Sequence, residues 1–348
     1  MFKDITIHQL LHLKDKKEMV LIDVRSPSEY KDSTIPGSMN IPLFNDEERA
    51  EIGTIYKQIS VQAAKERGLE IVSAKLPSFI KKFGQIEAEK TVFCWRGGMR
   101  SRTTATVLDL MGIHVYRLEG GIREYRKWIV EQLENLEFQK KAFVLNGFTG
   151  TGKTLILRRL QEKGYPVLDL EKMANHRGSI FGQIGLVPYN QKTFESLFVN
   201  CWLPIRNSPY VLFEAESKRI GKVVLPPLLI QKKEKGIQLI VDMPIEERVQ
   251  HILEDYQPWE HHAECIEAFL KIKKRIHTPV ASQIISDLKL GHFASAVRLL
   301  LEYYYDPLYK YTENQFSENQ RVILKVKNVD EAVLLIQDIL KNEETKIR

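Results

Sequence analysis

The sequence predicts an α/β protein with two parallel-sheet domains, the second closing in a helical, basic portion. Short apolar runs alternate with amphipathic stretches along most of the chain, the pattern of strands joined by crossover helices. The glycine-rich run GFTGTGKT (147–154) lies between an apolar run and a helical pattern, the context a phosphate-binding loop requires. With 348 residues, the chain exceeds one domain of roughly 100–200 residues.

The elements follow in order. In residues 1–135, strands are expected at MVLIDV (19–24), KTVFCW (90–95) and HVYRLEG (114–120), with a turn over 33–38, a helix from Ser101 to Met111 and a last helix plus linker over 122–139. Residues 136–348 restart the series with strands at KAFVLNG (141–147), YPVLDL (165–170), PYVLFEA (209–215) and IQLIVDM (237–243). The pattern turns helical over about 245–311, then closes with a strand at RVILKV (321–326) and a helix through DEAVLLIQDILKN.

Composition excludes several classes. At 43% hydrophobic and 28% charged residues the chain is globular, and no run approaches the ~20 apolar residues of a membrane span. Charges interrupt the first seventeen residues, so no signal peptide is read and a cytoplasmic location is expected. Cys94, Cys201 and Cys265 lie far apart, against a disulfide framework or a structural metal cluster. The 51 Lys and Arg against 45 Asp and Glu leave +6, a weak pointer to a polyanionic partner.

Two loops carry chemistry. In CWRGGMRS (94–101) a cysteine closes an apolar strand, two glycines free the backbone, and a helix begins near Arg100. Backbone N–H groups and a helix N-terminus there favour an anion, and Arg96, Arg100 and Arg102 favour the Cys94 thiolate. Cysteine, five residues and arginine serve both sulfur transfer through a persulfide and phosphate-ester hydrolysis through a phosphocysteine. In the second loop, Gly147, Thr149, Gly150, Thr151 and Gly152 offer an anion nest, Lys153 a point charge and Thr154 a hydroxyl suited to magnesium. Asp169, Glu214 and Glu216 are candidate substrate or magnesium contacts. Hydrolysis of ATP does not follow from the loop, since any diphosphate fits such a cradle.

The surroundings of Cys94 choose between its two chemistries. LIDVRSPSEY (21–30), TIPGSMNIPL (34–43) and RLEGGIREYRKW (117–128) resemble the rhodanese sulfurtransferase domain, with Thr34 standing where that family usually has histidine. Further on, DLEKMANHRGSIFGQIG (169–185), FEAESKRIG (213–221) and LLEYYYDPLYKY (300–311) resemble signature stretches of the bacterial tRNA 2-selenouridine synthase family, a likeness that runs from Asp23 to Tyr311. That resemblance implies a rhodanese-like domain ahead of a P-loop NTPase-like domain. It also implies an enzyme that converts wobble 2-thiouridine of tRNA to 2-selenouridine through S-geranyl-2-thiouridine, using geranyl diphosphate and selenophosphate.

By the same resemblance Cys94 carries selenium as a selenylsulfide, and Arg96 and Arg100 stabilise the phosphate. The phosphate loop is then expected to hold the geranyl diphosphate head, with selenophosphate as a competing occupant and an apolar tail pocket nearby. Lys271, Lys273, Lys274 and Arg275, beside the aromatic run 303–311, become candidate tRNA contacts. His176 and Arg177 are candidate substrate contacts, whereas His261 and His262, adjacent on a helix, point apart and suit no metal. Cys201 and Cys265 read as packing residues. No tightly bound cofactor is expected, beyond possible magnesium at the loop, and no membrane partner. An ATP-dependent sulfurtransferase or kinase and an inert RNA-binding module are the competing classes; Cys94 in an arginine-rich loop argues against the second.

Overall fold

The alternation of strand and helix patterns is realised as two separate parallel sheets in a computed structural model that describes residues 2–16, 18–308 and 316–347. The chain divides into two compact units, residues 2–135 with Glu195–Val199, and Leu136–Phe194 with 200–347.

The first unit is built on β1 (Lys3–Ile5), β2 (Met19–Asp23), β3 (Met39–Asn40), β4 (Glu89–Phe93) and β5 (Tyr116–Leu118), in the order β1-β5-β4-β2-β3. Every pairing is parallel, so each strand needs a crossover. The crossovers are α1 (Ile7–Lys16), α2 (Pro27–Asp32), α3 (Asp46–Gln58), α4 (Val61–Gly84), α5 (Met99–Leu110) and α6 (Gly121–Glu134). The pair α3–α4 was not read from the sequence, because its charged residues blur the apolar stripe. Asn45 nevertheless marks the start of α3: its side chain accepts from Glu48 N at 2.8 Å, and Glu48 accepts from Asn45 N at 2.8 Å. Ile22, Val24, Val92 and Cys94 of the central strands pack with Phe79 and Phe83 of α4 and with Ala105 and Leu108 of α5 in one core.

The second unit opens with β6 (Lys141–Gly147), the middle of its sheet, followed by the phosphate loop and α7 (Lys153–Glu162). Next come β7 (Val167–Leu168), α8 (Leu170–Ala174), α9 (Gln191–Ile205), β8 (Tyr210–Glu214), the hairpin β9 (Arg219–Ile220) and β10 (Val223–Val224), α10 (Pro227–Lys235) and β11 (Ile237–Asp242). The helical portion holds α11 (Ile245–Tyr256), α12 (His262–Ile272), α13 (Thr278–Leu290) and α14 (Phe293–Leu300), and α14 runs into a π-helical stretch, Leu301–Tyr305. β12 (Arg321–Lys325) and α15 (Val329–Ile347) complete the unit. The sheet order is β12-β11-β6-β8-β7, again all parallel. The carboxyl ends of β6, β7 and β8 therefore open on one edge, where ligands of such sheets bind.

β7 is shorter than the apolar run YPVLDL suggests, because Asp169 leaves the ladder to cap α8, accepting from Lys172 N at 2.9 Å. None of the described helices is long and apolar enough to cross a membrane. Tyr309, Lys310 and Tyr311 of the last signature stretch lie outside the described residues.

The turn leading into α6 packs its backbone directly under the loop after β4. A Cβ on Gly121, whose φ is +61°, would fall 2.1 Å from the Cys94 carbonyl oxygen. Gly121→Ala is expected to destabilise the first unit by more than about 1 kcal/mol, read as a lower urea midpoint; an unchanged midpoint would show that the turn tolerates a side chain.

Candidate functional site

β4 ends in buried backbone at Phe93, and Cys94 follows it at 3% exposure. The Cys94 carbonyl accepts from Ile122 N at 2.9 Å and that of Trp95 from Arg123 N at 3.0 Å, which fixes the loop against α6. Cys94 Sγ lies 3.2 Å from Ser101 Oγ, a polar contact at the first turn of α5. Arg96 is exposed, whereas Arg100 is half-buried and paired with Glu29 through both guanidinium nitrogens. Burial opposes the Arg100 charge, but the Glu29 hydrogen bond and charge outweigh it and raise its pKa, with Cys94 adding to the rise. Burial likewise opposes the Glu29 carboxylate, and Arg100 overcomes it to hold that pKa below the usual range. Glu29 went unnoticed in the sequence, where it reads only as the capping residue of α2. Thr34, in the place of the usual histidine, donates to Asp23 Oδ2 at 2.9 Å and joins the Asp23–Arg25 ion pair.

The phosphate loop after β6 is closed on itself. Gly150 has φ +83°, and a Cβ there would meet the Arg248 carbonyl oxygen at 2.7 Å, so only glycine lets α11 approach this closely. Thr151 is buried and donates to Phe148 O at 2.9 Å, while Lys153 Nζ donates to Gly147 O at 3.1 Å and Phe148 O at 3.3 Å. Gly147 and Gly152 take left-handed or open backbone. Thr149 stands at the outer rim, where its carbonyl accepts from Arg248 Nε at 2.9 Å. Arg248, 3% exposed, also binds both Asp306 oxygens and lies 5.0 Å over the Phe148 ring. His251 Nδ1 lies 3.0 Å from Gly150 O. Neither Arg248 nor His251 stands out in the sequence, since EERVQH reads as one more charged amphipathic turn.

Four carboxylates gather behind the loop. Thr154 donates to Glu171 Oε2 at 2.9 Å, and Glu214 Oε1 accepts from Glu171 N at 2.7 Å. A Cβ on Gly178 would touch Glu171 at 2.7 Å and Glu216 at 2.8 Å, so these two carboxylates flank the same backbone position. Asp169 Oδ2 and Glu214 Oε2 are buried without a hydrogen-bond partner. Burial, then the Glu216 charge, pushes Glu171 up to about 8. Burial raises Asp169, Glu214 and Glu216 as well, Glu214 furthest. Glu171, two residues past Asp169, was the carboxylate missed by sequence reading. Among the described residues no three His, Cys, Asp or Glu side chains are arranged to hold a metal ion.

His176 and Arg177 brace this region. His176 Nδ1 accepts from Gly178 N at 3.1 Å, and Cβ atoms on Gly182 or Gly221 would strike its ring. Arg177 pairs with Asp255 at 2.7 Å, donates to Ile184 O and lies 4.5 Å over the Tyr256 ring. Tyr256 in turn lies 3.2 Å from Ser179 through its hydroxyl.

Thr149 of the loop helps to line an apolar cavity with Phe181, Ile252, Tyr256, Leu301 and Tyr305, joined by Cys265, Leu288 and Phe293 of the helical portion. Burial, then Glu264, pushes the Cys265 thiol up to about 11, which suits a packing role. Burial also raises Cys201. His261 sits 3.0 Å from Glu264, and His262 stacks edge-on against Phe293. Lys271, Lys273, Lys274 and Arg275 are all exposed at the end of α12 and the following turn. Tyr303 is exposed nearby in sequence, whereas Tyr304 and Tyr305 pack against the helical core.

Comparisons with known proteins match both units. Residues 140–278 match the model of the tRNA 2-selenouridine synthase AAA domain, and residues 6–127 match the rhodanese-like domain. The chain is 30% identical to the tRNA 2-selenouridine synthase of Bdellovibrio bacteriovorus, over 88% of this chain and 92% of that one. It is 30% identical to that of Sulfurovum sp., covering 91% and 94%, and 36% identical to that of Nitrosomonas europaea, covering 68% and 63%.

Because the folded pKa of Glu171 lies near 8, above its ordinary 4.5, the folded chain holds a proton that the unfolded chain releases. Its stabilisation is complete below the ordinary value and is lost as pH rises through the folded one. Wild-type melting temperature in chelator-containing buffer is expected to fall across that window, and Glu171→Gln to flatten the fall. Parallel pH dependences of the two proteins would contradict the buried-proton assignment.

Proposed function

Since the chain belongs to the tRNA 2-selenouridine synthase family, we propose that it converts wobble 2-thiouridine of tRNA into 2-selenouridine through S-geranyl-2-thiouridine, with geranyl diphosphate at the phosphate loop and Cys94 as carrier of selenium from selenophosphate. The observation that carries the geranyl part is the apolar cavity that Thr149 of the loop itself helps to line. A diphosphate head needs the backbone N–H groups and Lys153, and a prenyl tail needs an apolar wall; the two lie side by side. A nucleotide base and ribose would set their polar edges against a lining that is mostly apolar.

In the first step the base sulfur attacks the allylic carbon, the carbon–oxygen bond breaks, and diphosphate departs with the electron pair. The base loses its N3 proton to water. The loop stabilises the leaving charge, and Lys153, folded back on Gly147 and Phe148, swings onto the diphosphate. When bound, magnesium would take Thr154 and diphosphate oxygens and neutralise part of that charge. In the second step selenium replaces the S-geranyl group at C2 and geranylthiol leaves. Cys94, buried beside Ser101 and in the field of Arg100, first takes the selenium as a selenylsulfide: the phosphorus–selenium bond breaks, water takes the phosphoryl group as phosphate, and a disulfide accepts the two electrons and becomes two thiols. The terminal selenium then attacks C2 as the C2–sulfur bond breaks, and the two thiols release it from Cys94 and return to the disulfide. Glu29 sets how much of the Arg100 charge the incoming anion meets. The exposed Lys271, Lys273, Lys274 and Arg275 bind tRNA phosphates.

Mass spectrometry of wobble nucleosides, after incubation with thiolated tRNA and each donor omitted in turn, tests the scheme. Cys94→Ser is expected to keep geranylation and abolish selenation, and Lys153→Ala to impair geranylation at least tenfold, about 1.4 kcal/mol in the barrier. Loss of both steps in the Cys94 variant would contradict the division of labour. Reversing Lys273 and Lys274 to Glu is expected to weaken tRNA binding and to flatten its salt dependence; an unchanged salt slope would remove these lysines from the interface.

A further inference from the structure

The cavity at the phosphate loop has a direction. Arg248 ties Thr149 of the loop to Asp306, which directly follows the π-helical stretch Leu301–Tyr305. Leu301 and Tyr305 therefore line the loop end, and the chain runs back from there along α14 to Phe293 at the opposite end. Phe293 stands twelve residues before Tyr305 on this helical run, at the end away from the loop.

Phe293 also lines a second feature, a surface cleft shared with Leu253, Trp259, Gly291 and His292. One aromatic ring thus stands between the apolar cavity and the outside. Its position is held: His262 lies edge-on to it at 5.5 Å between ring centroids and an angle of 88°. Leu288, whose carbonyl oxygen is the partner of His262 Nε2, lines the same end.

We infer that Phe293 is the wall that closes the far end of the tail cavity and so limits the length of the prenyl chain it admits. The inference rests on the diphosphate–tail reading of this site and adds the residue that sets its specificity. Removing the ring joins the cavity to the cleft and gives a longer tail an exit past Trp259. Adding a ring at Val297, which lines the cavity one helical turn nearer the loop, shortens it.

The test uses the full chain and the unreactive S-thiolodiphosphates of dimethylallyl, geranyl and farnesyl alcohols, with inorganic diphosphate as a reference for the intact loop. Binding is measured by calorimetry, and prenyl transfer to thiolated tRNA is measured separately. Phe293→Ala is expected to raise the farnesyl-to-geranyl affinity ratio at least tenfold with inorganic diphosphate unchanged, and Val297→Phe to move preference toward the dimethylallyl analogue. Ratios within about twofold of wild type in both variants overturn the inference, and do so even if the wild type transfers geranyl. If the ratios shift but no prenyl group reaches tRNA, the stop is supported while the proposed geranyl transfer falls. A wild-type chain that binds none of the three analogues more tightly than inorganic diphosphate overturns both.

Discussion

The buried guanidinium of Arg248 is the joint on which the phosphate-loop unit depends. It binds the Thr149 carbonyl and both oxygens of Asp306 and covers the Phe148 ring, and its own carbonyl lies where a side chain on Gly150 would be. A loop of flexible glycines, the helix α11 and the end of the π-helical stretch are thereby held in one arrangement. Such a charge is tolerated in the interior only because it is paired on every side, and truncating it would leave the Asp306 carboxylate without its partner, typically a loss of about 3–5 kcal/mol. The same contact gives the neighbouring apolar cavity its orientation, with the anion cradle at one end and Phe293 at the other.

Both units solve one problem with one device. Each places a glycine-rich loop at the carboxyl end of a central parallel strand, where backbone N–H groups converge and a helix begins. What differs is the group that shares the nest. In the first unit it is a cysteine, with an arginine restrained by Glu29; in the second it is a lysine, with four carboxylates crowded behind it. Burial raises the pKa of all four carboxylates, so the site behind the loop is sensitive to charge arriving in front of it.

The longer strands, the two loops and the parallel topology were legible in the sequence because each depends on local pattern: an apolar run, then glycine, then an amphipathic helix. The short strands β1, β3, β9 and β10 and the order within each sheet were not. Helices α3 and α4 were not, since their buried face is spread among Ala64, Gly68, Val72, Phe79 and Phe83 with many charges between. Asp169, Glu214 and Glu216 were found by their place at strand ends. Glu171, Glu29, Arg248 and His251 act through partners distant in sequence, and no spacing marks them. An apolar pocket was expected near the loop without its residues; the apolar cavity there is lined from α11, α12, α13, α14 and the loop beside Ser179, a convergence that only tertiary packing produces. His176 and Arg177, singled out as candidate substrate contacts, also hold the 176–185 turn and Tyr256, contacts that no local pattern announces.

The central claim is that head and tail of one amphiphilic diphosphate occupy adjoining sites, the loop and the cavity. The heat-capacity change on binding tests it most directly, because burial of apolar surface gives a negative change that an ionic contact does not. Calorimetry at several temperatures should show a markedly more negative change for geranyl diphosphate than for inorganic diphosphate, together with tighter binding. Equal affinities and equal heat-capacity changes would mean that the tail stays in water and that the cavity is not its site.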